Sequence, residues 1–158
     1  MLNSSKMNER VHVIFPLAPD ADGYPPASSE RMWAKQISSD TFEIDNIPFF
    51  VVGISSGDKI IAKPHDDALF YESIKELSGN STLRVSVSLD GGVESISVIK
   101  DELVAGLKHM GCDVEVSHIP NLVAVNVPPA VSLHRIIQFL KQGSTDNKWD
   151  YEEASLRQ

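Results

Sequence analysis

The pattern of apolar and polar positions changes texture near residue 82. Before it, apolar residues come in short runs at period two, separated by Pro, Gly, Asp and Ser. After it, a clean alternating strand leads into an apolar stripe at helical period, and the pairing of strand and stripe recurs. The two textures predict a β-rich subdomain over 11–81 and a second subdomain over 82–158. They are preceded by a polar arm at 1–10 that is expected to be mobile.

In the first part, "VHVIF" (Val11 to Phe15) reads as a strand closed by Pro16, followed by a long loop rich in Pro, Asp, Gly and Ser. "RMWAKQI" alternates through Trp33 and Ile37, and "TFEI" places Phe42 and Ile44 on one face. "FFVVGI", "DKIIAK" and "ALFYESIKEL" read as further strands, the last one separated from a short helix only by the company it keeps. Between the first two of these lies Ser55-Ser56-Gly57-Asp58. A phosphate loop would need a helix after it. The residues that follow, "KIIAK", are β-branched and alternate, so the tetrad reads as a hairpin turn with Gly57 at positive φ. Five or six short strands without a clear helix predict a small antiparallel β half-barrel.

In the second part, Leu83, Val85, Val87 and Leu89 face one side of a strand, and Arg84, Ser86 and Ser88 the other. Asp90-Gly91-Gly92 breaks it. Ile96, Ile99, Leu103, Leu107 and Met110 then form one helical stripe, with Gly111 placed to stop the helix. "CDVEVSHI" and "LVAVNV" read as strands joined by a turn at Pro120-Asn121. Pro128-Pro129 is expected to open a second helix with Leu133, Ile136, Ile137 and Leu140 buried and Gly143 closing it. "KWDYEEA" supplies a last strand. The order is that of a ferredoxin-like βαββαβ sandwich, and the whole chain is α+β.

Composition narrows function more than fold. The 158 residues are 42% hydrophobic and 23% charged, ordinary for a chain that can bury a core. A single cysteine, Cys112, excludes an internal disulfide and suits a reducing compartment. No apolar run approaches the ~20 residues that span a bilayer. The start, "MLNSSKMNER", lacks the apolar core of a signal peptide, so a cytoplasmic location is expected. The net charge of −8 comes from 22 acidic and 14 basic side chains. Such a surface opposes nucleic acid and anionic membrane and favours a basic protein partner.

Candidate chemistry is sparse. Asp20-Ala21-Asp22-Gly23 resembles the opening of a calcium loop, but position 29, where the closing Glu would fall, is Ser. An acidic, aromatic loop instead suits protein contact, which nominates Asp20, Asp22, Tyr24 and Glu30, then Asp66, Asp67 and Glu72. Its competitor is a plain solvated loop. His65-Asp66-Asp67 offers too few ligands for a metal site, and none is expected. Cys112 follows a helix-ending glycine, which suits a buried, inert thiol better than a nucleophile. No catalytic residue and no cofactor is nominated. Asp90, Gly91 and Gly92 at a helix start form the alternative site, for an amino acid or nucleotide.

"MWAKQI…TFEIDNIPFFVVGISSGDKIIAK", "STLRV" and "NLVAVNVPP" resemble a family of small bacterial proteins without an assigned function, over roughly Arg31 to Tyr151. The shared features are a Trp-containing strand, the "IPF" turn, the "GD" hairpin, the "ST-x-RV" strand and a late "AVNVP". The resemblance implies a bacterial, soluble, stand-alone protein and brings no catalytic residues. Proteins of this size and acidity often serve as immunity partners of secreted toxins. The resulting expectation is a protein-binding inhibitor, an immunity protein that neutralises a basic bacterial toxin such as a nuclease. The alternative is a small-ligand-sensing domain, and an enzyme is the least expected class.

Overall fold

The computed structural model of the chain describes residues 9–90 and 92–158. The chain divides between Ser78 and Gly79 into two compact units. Most of the predicted arm, residues 1–8, lies outside the described residues, and Arg10 already belongs to the first strand.

The first unit contains β1 (Arg10–Pro16), β2 (Ser29–Gln36), β3 (Thr41–Ile44), β4 (Lys59–His65) and β5 (Ala68–Glu76). Successive strands pair antiparallel. The predicted half-barrel is in fact closed, through a parallel pairing of Ile14 in β1 with Phe70 in β5. β5 is nine residues long and its register against β4 shifts twice. Such irregularities bend a strand and increase its twist, which here carries β5 round to β1. "ALFYESIKEL" is therefore a strand, as its neighbours suggested.

Val13, Phe15, Met32, Ala34, Phe42, Ile44 and Ile60 fill the barrel. In β2 the inward phase belongs to Met32 and Ala34, so Trp33, in the alternate phase, faces out. Outside, its ring lies 3.6 Å from that of His12, with the Arg10 guanidinium 4.3 Å away. "FFVVGI" is not a strand. It crosses as a series of bends, although Val51 and Ile54 still reach the core. The tetrad after it is a turn: Asp58 N–H donates to Ser55 O at 3.1 Å, and Gly57 has φ +83°.

The second unit contains β6 (Ser81–Val87), α1 (Gly92–His109), β7 (Asp113–Val116), β8 (Leu122–Val127), α2 (Leu133–Thr145) and β9 (Trp149–Ser155). The antiparallel sheet runs β7-β8-β6-β9. Leu103 and Leu107 of α1 and Leu133, Ile136 and Leu140 of α2 pack on Leu83, Val85, Val87, Val123, Val125 and Val127. Both helices thus cover the same face of the sheet. Among the described residues the architecture is α+β, with two helices and sheets of five and four strands.

Two helix boundaries depart from expectation. Pro128-Pro129 does not open α2. Its N-cap is Ser132, whose hydroxyl accepts from Arg135 N–H, and Leu133 N–H is taken by the Gln158 side chain at 3.1 Å. Gly143 does not close α2 but lies within it, because a Cβ there would land inside the Trp149 indole. Asn147, at φ +58°, is the residue that turns the chain, and Lys148 N–H returns to Gly143 O at 2.9 Å. Gly111 ends α1 by the same device, at φ +97°, with Cys112 N–H on Leu107 O.

Candidate functional site

The nominated partner-binding residues separate into four places. Asp20, Asp22 and Tyr24 lie in the loop between β1 and β2 and are exposed. Asp20 organises that loop. Its Oδ1 accepts from Asp22 N–H at 2.9 Å and Tyr24 N–H at 3.0 Å, and its own N–H donates to Tyr24 O at 2.8 Å. This is an Asx turn, in which the side chain replaces a backbone partner. Leu17 N–H to Ser28 O at 2.9 Å ties the loop base. Tyr24 meets Phe50 edge-on at 6.2 Å, a favoured aromatic geometry.

Asp66 and Asp67 form the exposed hairpin tip between β4 and β5, with Asp66 at φ +54°. Asp67 borders a groove of about 380 Å³ shared with His12 and Arg31. The His12 pKa is lowered, first by loss of water against its neighbours and then by the nearby Arg31 and Arg10 charges. Glu72 is exposed on β5.

Glu30 does not lie on the surface expected for partner contact. It is only 9% exposed, and its carboxylate accepts from Phe49, Phe50 and Val51 N–H at 2.7–2.9 Å. It is a structural anchor for the bent "FFVVGI" segment and offers no carboxylate to a partner. Asp58 does comparable work. It is fully buried, with Oδ2 on Ser55 N–H and Oδ1 on Ser78 N–H.

Glu30 and the Asx turn together fix the walls of an apolar groove that sequence reasoning missed. Leu17 and Pro25 come from the β1–β2 loop, Phe50 and Val52 from the bent segment, and Phe15, Tyr71 and Ile74 from the strands. The groove encloses about 380 Å³. Phe15 and Tyr71 stack at 4.7 Å on its floor, and the Tyr71 pKa is raised, chiefly by burial and then by the Asp58 charge. Val52 is 66% exposed and Ile74 39%. The signal available in sequence was only the apolar richness of "FFVVGI", which reads equally as a strand.

The alternative site lies in the second unit. Gly91 lies outside the described residues, and Gly92 begins α1 at φ +79°. Asp90 is exposed and borders a polar groove of about 430 Å³ with Ser86, Ser88, Asn121, Asn147 and Asp150. Among the described residues, two carboxylates and no lysine or arginine line it. That chemistry suits an ammonium group and repels a phosphate.

Cys112 is buried, and burial, followed by the Asp113 charge, pushes its thiol up to about 11. Among the described residues, no three His, Cys, Asp or Glu gather to hold a metal, and no helix is long and apolar enough to cross a membrane.

The fold and this geometry define a two-part α+β protein, a closed five-stranded barrel followed by a four-stranded sheet with two helices. Residues 30–151 match the family described as "Domain of unknown function (DUF4265)", and the chain belongs to that family. No curated protein matches the chain. A hypothetical protein from Neisseria gonorrhoeae, known from its crystal structure, is similar with a TM-score of 0.73 and 21% identity. The match covers 96% of this chain and 97% of that one. At that identity the likeness concerns the fold.

Proposed function

We propose that this protein is a cytoplasmic protein-binding inhibitor, an immunity protein that neutralises a basic bacterial toxin by direct contact. The observation that carries the reading is the β1–β2 loop. It presents Asp20, Asp22 and Tyr24 in a conformation already fixed by its own hydrogen bonds. A loop ordered before contact loses less entropy on binding. The net charge of −8 would steer a basic partner toward it. We read the second unit as a ferredoxin-like sandwich, which the strand order β7-β8-β6-β9 supports.

The test is co-purification with the product of a toxin gene adjacent to its own. Complex formation, loss of toxin activity and association that slows as salt rises are expected. Free toxin activity in an equimolar mixture would defeat the reading.

The polar groove beside Asp90 favours a second reading, a sensor of a small amino-bearing ligand. A thermal-shift screen of amino acids tests it, because ligand at 100 times Kd stabilises by about 2.7 kcal/mol. No shift across the set would remove it.

A further inference from the structure

The apolar groove on the first unit has features of an anchor site. Its walls are held from behind: Glu30 pins the amides of Phe49, Phe50 and Val51, and Asp20 pins the β1–β2 loop. Walls fixed in advance bind with a smaller ordering cost. Its lining is aliphatic and aromatic, yet Val52 and Ile74 remain open to water. Binding energy at protein interfaces concentrates in such places, where one large side chain fills a pocket and a polar rim excludes water. A volume of about 380 Å³ falls within the range of small-ligand pockets, ~300–1,000 Å³, and is ample for one large side chain.

Charge selects the occupant. The stretches that supply both loop walls, 11–30 and 36–58, contain no lysine or arginine. Asp20 and Asp22 stand exposed in the loop that also supplies Leu17 and Pro25 to the groove. A segment reaching the groove therefore meets apolar walls, one of them on a loop that also carries two exposed carboxylates.

We propose that this groove seats an apolar side chain carried on a basic segment of the partner. This rests on the reading of the protein as a binder of a basic protein, and it adds where the anchor sits and what kind of residue fills it.

Three labelled peptides test it on the full chain: a phenylalanine flanked by lysines, the same peptide with glycine for phenylalanine, and the phenylalanine peptide with glutamates for lysines. Saturable binding of the first alone is expected by fluorescence anisotropy. Val52→Lys should weaken it about tenfold, and Asp22→Asn by less. Both positions are exposed, and an unchanged thermal midpoint will show that each variant folds; Ile74→Lys gives an independent check of the groove. Equal binding of the glycine peptide would reduce the effect to charge, overturning the anchor and sparing the basic-partner reading. Equal binding of the glutamate peptide would overturn both. Binding of decanoate without any peptide would make this a small-molecule site and overturn the proposal, as would silence from all three peptides. A toxin complex undisturbed by Val52→Lys would sink the anchor alone.

Discussion

The barrel and the helix-covered sheet satisfy their backbone amides by different means. In the barrel unit, long connections carry amides that no ladder reaches, and buried carboxylates take them: Glu30 holds three and Asp58 at least two. In the second unit the elements cap themselves, with Ser132 at the start of α2 and left-handed Gly111 and Asn147 at the helix ends. The one deeply buried charge among its described residues, Arg84 at 2% exposure, pairs with Glu152 at 3.1 Å. Both units have an apolar core, but the first unit relies on a few buried carboxylates to hold its connections, whereas the second holds them with caps and turns. Failure should be abrupt and local in one and graded in the other.

Asp58→Ala is the most severe way to test that contrast. It strips two amides, one buried and one part-buried, of a charged acceptor, each bond worth roughly 1.5–3 kcal/mol. We expect a loss of about 4 kcal/mol, with hydrogen exchange rising first across 41–76. Equal early exchange in α2 would break the comparison. Glu30→Gln keeps one carbonyl but turns an NH2 toward an amide donor, so a loss of about 2–3 kcal/mol is expected. Its exchange signature should centre on Phe49 to Val51.

Gly143→Ala is the matching test in the second unit. Alanine favours a helix by ~1 kcal/mol, but here its methyl collides with Trp149, and overpacking costs roughly 1–3 kcal/mol. A net loss of up to about 2 kcal/mol is expected in urea titration; a gain would show that the indole moves freely. The smallest effect concerns Cys112. Its folded pKa, about 11, lies above the ordinary 9.0, so its contribution to stability is full below pH 9 and fades as pH rises through 11. The thiol should ignore a disulfide reagent at pH 8 until denaturant is added.

Regular elements were legible because their reasons are local. The alternation from Leu83 to Val87 and the stripe from Ile96 to Met110 state their partners within a few residues. What was hidden depends on distant pairs. Glu30 reads as a surface acid until the amides some twenty positions on are seen to converge on it. Gly143 reads as a helix stop because the ring that requires its bareness follows the helix. The acidic half of the candidate site was visible as Asp20, Asp22 and Tyr24. Its apolar half was not, because Phe15, Phe50 and Tyr71 meet only once the barrel closes.

That closure has its own consequence. Among the described residues, β1 pairs with β2 at seven registered positions but has a ladder pairing with β5 at Ile14 and Phe70 alone, a seam otherwise held by side chains such as the Phe15–Tyr71 stack. A cylinder fastened so unevenly should unzip along this seam before its other staves part. Amides flanking Ile14 and Phe70 would then mark the first breach under mild denaturant, while the β1–β2 ribbon endures as a hairpin.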